Sequence, residues 1–255
     1  MTQCKRGKCF WLQTGILFIN FFLKLFSFFL DPVISRDGSS YIRFSQIWFD
    51  TGSFQLASNE FRGVHLPPLP LYLIKSLMHL FGLPAEVFGV SLNLILGTFT
   101  PLIAYKIAYE VTHTKNIALG SAFLLAVNPS MNAFAHEVQR DMIYLFFIGL
   151  LLWLIIAGIR RQKGEYWLFG GIACSCAILT RFETLEFLGL VPLVLFLQCI
   201  RKYCSWKKGF CYAGLFFLSL FGSILFLSFL MQTQEYLFPN YENFFQSKIK
   251  KIMVE

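Results

Sequence analysis

Charge is scarce in this chain. Only 14% of its 255 residues are Asp, Glu, Lys or Arg, while 56% are hydrophobic; a soluble domain carries roughly 25% charged residues. That scarcity excludes an ordinary soluble domain. Regular polar–apolar alternation is also missing from the long apolar runs at 16–30 and 213–231. Its absence excludes a membrane barrel, whose strands alternate over about 10 residues. No Gly-rich phosphate loop, zinc-ligand spacing or nucleophile triad occurs, so nucleotide-loop, zinc and triad chemistry have no support in the sequence. Cysteine is present but misplaced for a disulfide framework or a metal site. Cys4, Cys9, Cys174, Cys176, Cys199, Cys204 and Cys211 all fall in spans or on the inner side of the layout below.

What is there is helix that is apolar on every side, which needs lipid or other helices all round. The expected fold class is therefore all-α, a polytopic membrane helix bundle. Eight apolar stretches can be marked, at about 11–30, 67–82, 86–108, 117–134, 142–159, 166–181, 185–200 and 209–231. A bilayer core takes about 20 residues per helix. The second stretch is short, opens with Pro67, Pro68 and Pro70, and carries Lys75 and His79; it reads as an interfacial helix. Charge supports that choice. With seven spans, the basic clusters at 5–8, 160–163 and 201–208 all fall on the cytoplasmic side. An eighth span would move the last two clusters outside. The net charge of +8 thus reads as orientation signalling, and nucleic acid is not an expected partner.

The N-terminal basic residues Lys5, Arg6 and Lys8 precede an apolar block too long for a signal peptide and without a small-residue cleavage site. The expectation is an uncleaved first span with a cytoplasmic N-terminus. One module covers 1–231, with a long outer segment at 31–85, followed by an outer tail at 232–255. The membrane is expected to be the bacterial inner membrane, since no N-glycosylation sequon stands out in the outer loops.

Within the outer segment, Asp37-Gly38-Ser39-Ser40 reads as a helix start with Asp37 as N-cap. Tyr41, Phe44 and Trp48 follow at i, i+3 and i+7, and Thr51-Gly52-Ser53 stops the helix. Such a helix suits the membrane surface and holds Asp37 just above the lipid boundary. Lys24 lies inside the first span, six residues before Leu30, and is placed to snorkel outward. Asn20 and Asn93 read as interhelical hydrogen bonders, and Gly170-Gly171 as a close-packing site.

These residues resemble a known family. Arg36-Asp37-Gly38-Ser39-Ser40-Tyr41 with Asp50-Thr51-Gly52 is similar to the first outer loop of the GT-C glycosyltransferases, in the branch of the protein O-mannosyltransferases and aminoarabinose transferases. Three further pieces follow in the family's order: His65-Leu66-Pro67-Pro68-Leu69 with Tyr72 and Phe81-Gly82; Asn128-Pro129 with Glu137 and Arg140-Asp141; and Gly170-Gly171 with Leu179-Thr180-Arg181-Phe182-Glu183. The likeness covers about residues 12–200. Two departures stand out. Gly38 occupies a position where relatives often carry a second acid, and relatives are usually much longer.

The resemblance implies transfer of a sugar from a polyprenyl-phosphate carrier to a lipid, glycan or protein acceptor. Such a site needs a base for the acceptor hydroxyl, cations for the leaving phosphate, and an apolar groove for the tail. Asp37 matches the family's first-loop acid and is the candidate base; the plainer reading of it is a helix cap. Asp141, Glu137 and Tyr41 are candidates for organising acceptor or sugar, with Glu137 one turn before Asp141 on the same helix. Arg36, Arg62, His65 and Arg181 are the candidate phosphate cations, each equally readable as a headgroup contact. No metal ligands are assigned and no cofactor is required, although a divalent cation is compatible with the chemistry. Expected partners are the lipid-linked donor, membrane lipids and, given the chain's length, a partner subunit. The competing readings are a non-catalytic or truncated membrane protein that needs a partner, and a transporter. The last lacks inverted halves and paired broken helices.

Overall fold

In lipid, a backbone without water must satisfy its N–H and C=O groups within itself, which leaves helices as the spanning solution for runs like these. The computed structural model describes residues 6–30, 34–61 and 66–231, and among them it contains helices and no strand. In chain order they are α1 (Arg6–Leu30), α2 (Arg36–Thr51), α3 (Phe54–Glu60), α4 (Pro68–Phe81), α5 (Ala85–Thr112), α6 (Lys115–Ala126), α7 (Pro129–His136), α8 (Arg140–Arg161), α9 (Gly164–Thr180), α10 (Phe187–Ile200) and α11 (Trp206–Leu230), with a 3-10 turn at Phe182–Glu186. Among the described residues five segments are long and apolar enough to cross a membrane: α1, α5, α8, the 3-10 turn with α10, and α11. The molecule is an integral membrane helix bundle. The expected tail at 232–255 lies outside the described residues.

Two of the seven expected spans are shorter. α9 has 17 residues, about 26 Å of helix, at the lower limit of spanning length. The stretch at 117–134 is not one helix. α6 ends at Ala126, and α7 begins at Pro129. Pro129 has no N–H to continue the ladder and pushes the preceding residue toward extended backbone. Asn128 sits at φ −64°, ψ 120°, and its side chain accepts from the Met131 N–H as a new N-cap. The α4 stretch is as short and as bounded as the sequence suggests. Pro67 and Pro68 open it, Gly82 at φ 67° closes it, and its 14 residues form a separate helix.

The stripe of α2 that was expected to face lipid is turned into protein. Tyr41, Phe44 and Trp48 are buried, and the Trp48 ring stands 4.9 Å from Phe54 of α3 and 5.8 Å from Tyr72 of α4, centroid to centroid. Helices α2, α3 and α4 thus form a cap over one end of the bundle. α9 runs through the middle, between α8 and α11. Its Gly171 permits that approach, since a Cβ there would lie 2.3 Å from the Phe216 carbonyl oxygen.

The turns at the opposite end are joined by polar contacts. Tyr212 donates to the Gln162 carbonyl at 2.5 Å, Arg161 pairs with Glu110, and Arg160 meets His113 at 3.2 Å. The basic turns at 160–163 and 201–208 therefore share one end. Lys24 does not snorkel: it is 1% exposed and donates to Asn20 and Asn132.

Candidate functional site at the capped end

The site begins with how α2 starts. Ser35 is in extended backbone, φ −60° and ψ 160°, and its Oγ accepts from the Gly38 N–H at 3.1 Å. Ser35 is therefore the N-cap, two residues earlier than expected, because Ser35 and Asp37 are both good capping residues and compete for one role. Asp37 is released from capping and stands exposed in the first turn of α2. Arg36 is exposed beside it.

Gly38 is buried because the segment at 137–139 lies directly on it. A Cβ at Gly38 would sit 2.9 Å from the Val138 carbonyl oxygen and 3.1 Å from both Ile34 Cγ2 and Ser35 Oγ. A second acid at this position has no room, which accounts for one departure from the family pattern. The facing segment is itself held: Asn93 on α5 donates through Nδ2 to the carbonyls of Glu137 and Gln139, the latter at 3.0 Å. Glu137 is extended, with φ −73° and ψ 135°, and α8 starts only at Arg140. It is thus not one helical turn before Asp141, as expected. Its carboxylate accepts from the Gln139 side chain.

Asp141 stands in the first turn of α8 and Arg181 at the end of α9, 40 residues apart in sequence. Antiparallel packing of α8 and α9 makes them neighbours. Arg181 Nη1 donates to Asp141 Oδ1 at 2.6 Å, its Nε lies 3.8 Å from Glu183, and its Cζ stands 5.4 Å from the centroid of the Tyr144 ring. Both partners are partly open to solvent, with 32% of the Arg181 and 42% of the Asp141 side chain exposed.

Tyr41 joins the two sides. Burial pushes its phenol up to about 12; Arg140 and Arg181 oppose that shift, and Asp37 and Asp141 add to it. All four charges therefore act on one hydroxyl, which keeps its proton at neutral pH. α8 and α9 also border an open apolar groove of about 370 Å³ that runs from Phe147 and Cys176, on the cluster's side, past Trp153 and Phe169 to Glu165 and Tyr166 near the opposite end. Phe147 is the next residue along the Tyr144 face.

The structure thus gathers Asp37, Tyr41, Asp141 and Arg181, with Arg36 at the edge and Glu137 turned toward Gln139. Arg62 and His65 lie outside the described residues. Sequence reasoning missed Arg140 and Tyr144 as members of the cluster. Their spacing from Asp141 along a helix start, at i−1 and i+3, was the available signal. Among the described residues, no three His, Cys, Asp or Glu side chains gather as metal ligands would.

Comparison with known proteins gives this geometry a context. A protein of Aquifex aeolicus (strain VF5), named only as uncharacterized, is 28% identical over 193 residues, which are 73% of this chain and 36% of that protein. The chain therefore spans about a third of the length of that relative. The family model for dolichyl-phosphate-mannose-protein mannosyltransferases matches residues 65–228, from the approach to α4 to the last turns of α11, and so includes Asp141, Arg181 and the groove. With more than half of its length matched, the chain belongs to the dolichyl-phosphate-mannose-protein mannosyltransferase family of the GT-C glycosyltransferases.

Proposed function

We propose that this chain transfers a sugar from a polyprenyl-phosphate carrier to a hydroxyl acceptor at the membrane–water boundary of its capped end. The observation that carries the reading is the arrangement just described: two acids, two arginines and a buried phenol gathered at one end of α8 and α9, with an apolar groove between the same two helices. A carrier of this class has an anionic head and a long apolar tail, and each half finds a matching surface.

In this reading the Asp37 carboxylate takes the proton of the acceptor hydroxyl. The acceptor oxygen attacks the anomeric carbon, the bond from that carbon to the phosphate oxygen breaks, and the electron pair leaves on the polyprenyl phosphate. The product is inverted at the anomeric carbon. Arg181 and Arg140 stabilise the charge on the departing phosphate. An incoming phosphate would replace Glu183 beside Arg181, the weaker of its two acidic contacts. Asp141 holds the guanidinium in place, and Tyr41 donates to the sugar or to the phosphate. The contribution of Asp37 in this reading is placement against the acceptor hydroxyl.

The basic turns at the opposite end support a cytoplasmic assignment for that end, and hence an outward-facing site in a bacterial inner membrane with the N-terminus inside. Membrane lipids are then the immediate neighbours, and a partner subunit can supply what one third of a longer relative does not.

The test incubates membranes containing the wild type or Asp37→Asn with isotope-labelled polyprenyl-phosphate sugars, with and without a divalent cation, and follows release of the sugar. Turnover by the wild type that collapses in the Asn variant at equal expression is the expected result. Equal turnover in both removes Asp37 from the mechanism. No turnover with any donor favours the reading of a membrane protein that needs a partner.

A further inference from the structure

We propose that Lys24 is a positioning residue: its buried amine ties α1 to α7 and thereby fixes where the segment carrying Asp141 stands. The role in turnover rests on the transferase reading; the tie itself does not. Lys24 Nζ lies 2.8 Å from Asn132 Oδ1 on α7 and 2.7 Å from Asn20 Oδ1 on its own helix. Asn20 Nδ2 in turn donates to the carbonyls of Gly97 and Thr98 on α5, at 3.1 and 3.0 Å.

Several parts of the sequence serve this knot. Pro101 lies inside α5 and lacks the N–H that would bind the Gly97 carbonyl four residues back; Asn20 supplies the missing donor. Gly97 has no side chain, and a Cβ there would come within 2.9 Å of Lys24 Cε. Asn132 is held in turn, through Nδ2, by the Ala126 carbonyl at 3.3 Å. A methionine would fill the lysine's volume without the cost of inserting a charge into a span. Packing alone therefore does not account for a lysine here, whereas two accepting amides do.

The consequence reaches the site along the chain. α7 carries Asn132 and leads directly into 137–139, which Asn93 holds by two carbonyls, and then into Asp141. The second site segment is thus pinned at its start by α1 and at its end by α5. A carboxylate that must hold Arg181 at 2.6 Å requires such a support, since small misplacements of catalytic groups are costly in rate.

The experiment uses the full chain in lipid nanodiscs and compares hydrogen exchange of the wild type with Lys24→Met, Asn132→Leu, their combination, and Asn132→Asp, which keeps an acceptor for the amine. Exchange across 129–141 is expected to rise at least tenfold in both single variants and no further in the double, to stay near wild type in Asn132→Asp, and to be unchanged in α9. Labelled-sugar release is expected to lose at least tenfold in kcat in Lys24→Met, with the donor KM held and activity kept in Asn132→Asp. Unchanged exchange at 129–141, an additive double variant, or an equal rise in every helix overturns the proposal. If Lys24→Met does not fold, the Asn132→Leu and Asn132→Asp pair decides by the same criterion. If the wild type releases no sugar, the transferase reading fails by itself, and the exchange results still decide whether Lys24 holds α7.

Discussion

Replacing Gly38 by alanine adds one methyl group and perturbs three things at once. The new Cβ would lie 2.9 Å from the Val138 carbonyl oxygen and 3.1 Å from Ile34 Cγ2 and Ser35 Oγ, all inside ordinary van der Waals contact. The carbonyl belongs to a segment that Asn93 fixes through two neighbouring carbonyls, so it cannot simply retreat. Ser35 Oγ caps α2 and loses its geometry if it moves. Overpacking of this kind costs about 1–3 kcal/mol and a damaged N-cap about 1 kcal/mol. Taking about 2 kcal/mol for the pair, with 2–4 °C lost per kcal/mol in a chain of this size, the melting temperature should fall by about 4–8 °C. Tryptophan fluorescence during thermal unfolding in nanodiscs measures this directly. Gly38→Asp should fall further, because its carboxylate would be driven against a carbonyl oxygen of like polarity. Turnover should drop with both, since the contact sets the separation of Asp37 from the Asp141–Arg181 pair. A Gly38→Ala variant with an unchanged melting temperature and unchanged turnover would refute the close approach and its role.

Other outcomes follow from the same contacts. Tyr41 should be absent from the phenols that ionise near pH 10 and appear only near pH 12 in an ultraviolet absorbance titration, compared with Tyr41→Phe. Because the folded state holds the proton more tightly, this stabilisation is complete below pH 10 and is lost as the pH rises toward about 12. That interval corresponds to about 3 kcal/mol, so the alkaline limb of the wild-type stability curve should be steeper than that of Tyr41→Phe. Asp141→Asn keeps an oxygen acceptor for Arg181 but removes its charge, leaving Glu183 at 3.8 Å as the anion beside the guanidinium; sugar release should fall about 10- to 100-fold in kcat/KM at equal expression, and Asp141→Leu, which removes the acceptor too, should fall further. Asn93→Leu removes both side-chain hydrogen bonds to 137–139, although the Glu137 carbonyl keeps the Gln139 N–H as a donor; the loss should cost about 1–3 kcal/mol in all, read as a lower melting temperature. Gly171→Val should prevent α9 and α11 from seating together and abolish a cysteine cross-link engineered between them.

Sequence patterns with local causes were legible. The prolines and short length of 67–82 marked α4 as a short helix of its own, and the glycine pair at 170–171 marked a close approach that Phe216 makes. The cap of α2 was misplaced because Ser35 and Asp37 are both good capping residues and only backbone geometry separates them. The break at Asn128-Pro129 was seen as a motif yet hidden inside an apolar stretch of spanning length. Lys24 looked able to snorkel because sequence shows its distance to the helix end, not the amide oxygens that Asn20 and Asn132 offer nearer by. The Asp141–Arg181 pair had no local signal, since it exists only because α8 and α9 run antiparallel. The membership of Tyr41 in the site depends similarly on α2 resting on 137–139.

The polar knot around Lys24 also bears on how the chain is made. Its groups come from positions 20, 24, 97, 98 and 132, so α1 enters the membrane 108 residues before Asn132 exists. At ribosomal rates of about 5–20 residues per second, the amine waits roughly 5 to 20 s for its last acceptor. During that interval α1 has a polar face turned to lipid or to the insertion machinery, and a chain cut short before α7 would keep it for good. Such a face is what membrane quality control can recognise, and full-length synthesis removes it. α1 is made before α5 and α7 and is locked in place only when both have joined it.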